Sequence, residues 1–248
     1  MVISNRDFRY YKRGNYESDI MNESDVRELY RRGEDMLEKL NDLIKKRRTL
    51  IYEELNPNLR NKVIYSFIIS PMILQNELIS FDSGIVSRIH NTYTGQIVGC
   101  PALKPSLCGY YADNTYNQVS PEGHDIVKFV EVCRNGLIQS SGEIPISNYT
   151  LHPNRIKNDI INLVKLSKEL YENNKYYGSV LFDLNIKCIN NHFLQINTER
   201  SNRYRRSEIL IENRKNADEM DIRRIVDEIL NSVFNAFGVE RHGLELGL

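Results

Sequence analysis

The chain has 248 residues, 41% of them hydrophobic, and its 33 Lys and Arg balance 33 Asp and Glu to a net charge of zero. This is the composition of an ordinary folded protein with an ample core; it excludes a disordered chain and any global pull towards nucleic acid or an anionic membrane. No apolar run is long enough for a bilayer, since the longest, Val63–Leu74, is broken by Ser66, Ser70 and Pro71.

Residues 1–21 open with a candidate strand, Ile3–Tyr11, that has no local partner, followed by a turn at Gly14-Asn15. Two readings stay open for them: the tail of a preceding domain, or an arm paired on a sheet edge. From Asn22 to Leu55 apolar residues recur at three, four and seven, which predicts one long amphipathic helix. Asn22 or Ser24 caps it, Glu23 and Asp25 suit its first turn, and Pro57 follows it. Lys62–Ser70 is rich in Val, Ile, Tyr and Phe and predicts a buried strand. Met72–Ser80 has the period of a short helix, and Ile85–Ile89 that of a short strand or helical turn.

Gly109–Ser120 predicts a hairpin turning at Asp113-Asn114, and Asp125–Ser140 a second one turning at Arg134-Asn135-Gly136. Asn-Gly between apolar runs is a strong hairpin signal. Pro153–Asn173 predicts a helix, and Tyr177–Lys187 a strand that turns at Asn190-Asn191 to pair with the following HFLQIN. Thr198–Asn216 reads as a polar loop or an edge strand around Ile209–Ile211. Ala217–Phe237 predicts the last helix, capped by Gly238. Sequential hairpins make an antiparallel sheet, so the expected class is α+β: a sheet built from hairpins and covered by about three helices. The expected organisation is a junction at 1–21, one domain over 22–240 and a tail over 241–248.

The chemistry-bearing patterns are sparse. No phosphate loop and no nucleophile elbow occurs. The five histidines are scattered, with His124-Asp125 the one adjacent His/acid pair, so no metal site and no cofactor is expected. The four cysteines, Cys100, Cys108, Cys133 and Cys188, lack C-x-x-C spacing, and no secretory signal precedes them. They read as free thiols of a cytoplasmic protein, against a metal or a disulfide. Phe182–Lys187, FDLNIK, carries a nuclease-like trace in which Asp183 would hold Mg²⁺ and Lys187 polarise a water. Asn185 stands where a second acid would help, and the segment also reads as the solvent face of a half-buried strand. Two basic clusters suit phosphate contact and base stacking: Arg200, Arg203, Arg205 and Arg206 around Tyr204, and Arg9, Lys12 and Arg13 around Tyr10 and Tyr11.

Around Tyr11, Arg13, Gly14, Ser18, Met21, Val26 and Arg27, the segment RYYKRGNYESDIMNESDVRELY resembles the junction that closes the AlbA_2-type (Schlafen-related) DNA-binding domain of bacteria. The downstream order is also similar to the region that often follows that domain: a long helix, a strand ending in Ser70-Pro71, a hairpin strand at Asn135–Ile138 and a helix ending in Phe237-Gly238. The body of such a domain would lie upstream of residue 1, so the nucleic-acid functions of such proteins do not carry over wholesale. The resemblance implies an accessory domain of a prokaryotic regulator or defence protein. The leading expectation is that it is non-catalytic and contacts a protein partner or a second copy through the 22–55 helix, with the closing helix contributing, and no membrane is expected. Direct DNA or RNA binding through the arginine clusters and a Mg²⁺-dependent nuclease are the alternatives.

Overall fold

The computed structural model describes residues 2–3, 10–13, 18–20, 23–50, 53, 62–93, 103–113, 128–144, 146–152, 154–196 and 199–239. Contacts divide the chain into two units, Met1–Leu43 and Ile44–Leu248.

In the first unit, β1 (Val2–Ile3), β2 (Tyr10–Arg13) and β3 (Ser18–Ile20) form a small antiparallel sheet in that order. The single strand expected over Ile3–Tyr11 is corrected: its two ends belong to different strands that pair with each other, Ile3 of β1 opposite Tyr10 of β2, while residues 4–9 and the Gly14-Asn15 turn lie outside the described residues. Helix α1 (Glu23–Leu50) begins here, and its last turns from Ile44 belong to the second unit. Glu23 and Asp25 sit in its first turn and Arg47 and Arg48 in its last, the arrangement the helix dipole favours. Ion pairs Glu23–Arg27, Glu28–Arg31, Glu28–Arg32 and Arg31–Asp35 run along its exposed side. Of the expected continuation through 51–55, only Glu53 is among the described residues.

The second unit is built on a seven-stranded, wholly antiparallel sheet. Its strands are β4 (Ile64–Pro71), β5 (Lys104–Pro105), β6 (Gly109–Asp113), β7 (Lys128–Cys133), β8 (Ile138–Glu143), β10 (Ser179–Lys187) and β13 (Glu208–Asn216), in the order β13-β10-β4-β8-β7-β6-β5. A second small sheet sets β11 (Phe193–Ile196) parallel to β9 (Thr150–Leu151) and antiparallel to β12 (Glu199–Arg200). The helices are α2 (Ser83–Tyr93), α3 (Asn154–Asn173) and α4 (Ile222–Ala236), the last preceded by a 3-10 turn at Ala217–Glu219. The protein is thus α+β, as expected, with four helices among the described residues.

Alternation along the strands sorts two faces. Tyr65, Phe67 and Ile69 of β4 and Val180, Phe182, Leu184 and Ile186 of β10 join the main core. Against them lie Ile156, Ile160, Val164 and Tyr171 of α3 and Ile225, Ile229, Val233 and Phe234 of α4. Polar anchors pin this layer. Tyr65 donates to Asp159 Oδ2 of α3 at 2.8 Å, Lys128 Nζ reaches both Asp159 oxygens, and the Tyr171 hydroxyl donates to Gly136 O at 2.8 Å. The β7–β8 hairpin forms where Asn135-Gly136 predicts it. Gly136 has φ +90°, and a Cβ there would meet Leu78 and Pro71 side chains at 2.6 and 2.7 Å.

Several expectations are corrected. Tyr177–Lys187 does not form a hairpin with HFLQIN: β10 pairs instead with β4 and β13, while β11 goes to the small sheet. The β10–β4 and β10–β13 pairs each satisfy eight or more residues, far more than the four that β11 could offer. Strand β10 is buried on both faces, so Asp183 does not lie on a solvent face. Residues 72–80 are irregular, and the helix comes later, at Ser83, where Asp82 Oδ1 accepts from Ile85 N at 2.7 Å. The last helix starts at Ile222 because Asp221 caps it, accepting from Arg224 N at 3.1 Å. Strand β6 pairs with β5 and β7, and Asn114 of the expected turn lies outside the described residues. Among the described residues β13 pairs only with β10, which leaves its outer side as the edge of the sheet.

Candidate functional site

The second face of the large sheet is polar and yet buried. Asp183 and Asn185 from β10, Ser66 and Ser70 from β4, Gln139 and Ser141 from β8, and Glu131 and Cys133 from β7 all point to it, and all are buried. The last turns of α1 deliver two arginines to this face, and each takes a different carboxylate.

Arg48 closes on Asp183. Its Nε donates to Oδ1 at 2.9 Å, its Nη2 donates to Oδ2, and the same Nη2 reaches Glu212 Oε1 at 3.0 Å. Asp183 is 0% exposed. Burial pushes its carboxyl above the ordinary carboxylate range, and Arg48 offsets only part of that. Lys187 and Asn185 share the Asp183 face, as period two requires, but Asn185 Nδ2 donates to Glu208 Oε1 at 2.5 Å. Both Asp183 oxygens are thus committed to an arginine inside the fold.

Arg47 closes on Glu131, where its Nη1 donates to Oε2. The other oxygen, Glu131 Oε1, lies 2.8 Å from Ser106 Oγ and 2.9 Å from Cys108 Sγ. The Cys133 thiol donates to Cys108 Sγ at 3.0 Å, and Arg47 Nη2 stands 3.4 Å from Cys108 Sγ and 3.7 Å from Cys133 Sγ. Both sulfurs and a Glu131 oxygen fall within 4.8 Å of one another. Strand pairing makes this meeting: Gly109 opposes Cys133, so Cys108, one residue earlier, lies beside it. A Cβ at Gly109 would sit 2.0 Å from Val132 O, so only glycine allows β6 this close to β7 at the thiols.

The two thiols are electrostatically opposite. The hydrogen bond from Cys133 draws the Cys108 pKa down to about 6, against burial and the Glu131 carboxylate. The same bond, with burial, pushes Cys133 far up. Burial works against the Arg47 charge, but Glu131 and the thiols more than compensate and hold the guanidinium protonated. Cys108 is half-buried and Cys133 buried, and both are free thiols. The constellation is a thiol with a lowered pKa, a second thiol in contact with it, a fixed cation and a carboxylate that accepts a hydrogen bond from the first thiol.

The other candidate residues are spread out. Arg200, Arg203, Arg205 and Arg206 are exposed, and the Arg200 and Arg203 guanidiniums sit 5.9 and 5.2 Å from the Phe193 ring centroid. Lys12 and Arg13 belong to β2 in the first unit; Arg9, His124-Asp125, Cys100 and the 241–248 tail lie outside the described residues. Sequence reasoning missed Ser106, Cys108, Glu131 and Cys133 as a group. The available signal was the pair of neighbouring strand patterns, one beginning beside Cys108 and the other ending at Cys133.

No protein family, curated protein or solved structure matches this chain. Among the described residues, no helix is long and apolar enough to cross a membrane.

Proposed function

We propose that this chain is an accessory contact module that pairs with a second copy of itself through the first half of α1. This is the accessory role that the resemblance to the region after AlbA_2-type domains implies. The observation that carries it is an apolar stripe that the described residues leave exposed: Tyr30 is 63% exposed, Met36 47%, Leu37 40% and Leu29 37%. Such a stripe on a long helix marks a contact surface.

The stripe is symmetric about Gly33. Leu29 and Tyr30 lie four and three residues before it, Met36 and Leu37 three and four after it. A glycine inside a helix costs about 1 kcal/mol relative to alanine, and a Cβ at Gly33 would meet nothing within 4 Å. Among the described residues nothing requires the glycine there, whereas a second helix crossing at Gly33 would. Two antiparallel copies related by a two-fold axis at Gly33 set Leu37 against Leu29 and Tyr30, and Arg32 against Glu34, in a self-complementary contact.

The test is the mass of the intact chain by light scattering after gel filtration. A dimer that Leu37→Glu converts to a monomer supports the reading; a monomer at every concentration, unchanged by the substitution, ends it. A second reading, nucleic-acid contact through Arg200–Arg206, is favoured by the stacking of Arg200 and Arg203 on Phe193. It requires a mobility shift that weakens with salt and with Arg203→Ala/Arg206→Ala.

A further inference from the structure

We propose that Cys108 and Cys133 form a peroxide-reactive dithiol site, in which Cys108 is the attacking sulfur and Cys133 the resolving one. The assignment does not rest on the pairing of α1.

Four features place the roles. First, Cys108 is the more accessible of the two, half-buried where Cys133 is buried, so an incoming peroxide meets Cys108. Second, the sulfurs are 3.0 Å apart, and closing to a disulfide needs about 1 Å of movement, since the S–S bond is about 2.0 Å. Third, Arg47 Nη2 stands beside both sulfurs at 3.4 and 3.7 Å, where it steadies the thiolate and the oxyanion expelled from the peroxide. Fourth, Glu131 Oε1, 2.9 Å from Cys108 Sγ and anchored by Ser106, accepts the proton that the thiol must lose. The depressed pKa of Cys108 agrees with the first role and the elevated one of Cys133 with the second.

The chemistry balances. The Cys108 thiolate attacks one oxygen of a hydroperoxide: an S–O bond forms, the O–O bond breaks, the sulfur loses two electrons, and the expelled alkoxide or hydroxide takes a proton to become alcohol or water. Cys133 then attacks the Cys108 sulfenic acid: the S–S bond forms, the S–O bond breaks, and hydroxide leaves with the Cys133 proton as water. Two thiols and one hydroperoxide thus give one disulfide, one alcohol or water, and one water. A thiol reductant, small-molecule or protein, returns the pair to its starting state.

The same donors do not suit a metal ion. Two sulfurs of a tetrahedral zinc site stand about 3.8 Å apart, wider than the 3.0 Å seen here, and the cationic place beside them is already held by Arg47.

The experiment treats the intact chain with hydrogen peroxide, blocks remaining thiols under denaturing conditions, and maps peptides without reduction. The expected result is a Cys108–Cys133 linked peptide with a loss of about 2 Da, reversed by dithiothreitol, with the exposed Cys188 still alkylated. In Cys133→Ser the linked peptide disappears and a dimedone adduct, the mark of a sulfenic acid, appears on Cys108; in Cys108→Ser, Cys133 stays unmodified. Full alkylation of both cysteines after peroxide overturns the proposal. So does one equivalent of zinc carried through purification and shielding both thiols. The wild-type map needs no variant to fold, so the result stands even if a substitution destabilises the sheet.

Discussion

Arg47 and Arg48 are neighbours in one helix turn, and both reach the same polar face of the sheet, yet they end in different company. Arg48 meets Asp183, which is wholly buried and has both oxygens engaged by one guanidinium. Arg47 meets Glu131, which shares its second oxygen with Ser106 and Cys108 and brings two thiols under the same cation. The first arrangement is saturated and can only hold. The second keeps an ionisable nucleophile beside a fixed charge and can react. What separates structure from chemistry here is whether the partner carboxylate has an oxygen left over.

The largest effect should come from breaking the saturated pair. Asp183→Ala leaves Arg48 with only the more exposed Glu212 and should cost about 3–5 kcal/mol, read as a lowered urea midpoint. A loss under about 1 kcal/mol, typical of an exposed pair, would erase the contrast between the two arginines.

The thiol pair sharpens the comparison. Alkylation of Cys108 should rise with pH through a midpoint near 6. In Cys133→Ala the donor that holds the thiolate is gone, so the midpoint should climb by at least about one pH unit, or 1.4 kcal/mol. Peptide-resolved labelling rates check this, and an unmoved midpoint would show that the Cys133 hydrogen bond does not set the Cys108 charge.

The smallest effect belongs to a third carboxylate, the partly exposed Glu228 that ties α4 to β13. Burial raises its pKa, but donors from Lys215, Asn213 and Arg224 prevail and bring it from 4.5 down to about 2. A depressed carboxylate contributes stability above its unfolded pKa, so this contribution is full above pH 4.5 and is lost as the pH falls towards 2. After solvent screening it amounts to less than about 1 kcal/mol. Glu228→Gln should flatten the stability-versus-pH curve across that window; an unchanged slope would show the bridge to be inert.

Local chemistry made the hairpin at Asn135-Gly136 and the helices α3 and α4 legible, because turn residues and apolar spacing act over a few positions. The partners of β10 were not legible: Asp183 opposes Ile68 on one side and Glu212 on the other, and no local pattern ranks such distant pairings. The alternation of FDLNIK was real, but alternation alone does not tell a polar face in water from a polar face under a helix. The thiol site was hidden for the same reason. Cys108 and Cys133 carry no motif spacing, and Arg47 reaches them from a helix far away in the chain.

Strand β13 has a consequence for how the protein survives at high concentration. An unpaired strand edge is a template on which further chains can stack into fibrils. Along β13 the segment Ile209-Leu210-Ile211 is the sticky part, and Leu210 is 48% exposed. Glu208 and Glu212 bracket it, and Asn213, Arg214, Lys215 and Asn216 complete the strand, so six of nine positions carry charge or an amide. A copy arriving in register would set acid against acid at both ends of the hydrophobic triplet. The two glutamates therefore act as gatekeepers, in addition to the hydrogen bonds that Glu208 accepts from Asn185 and Glu212 from Arg48.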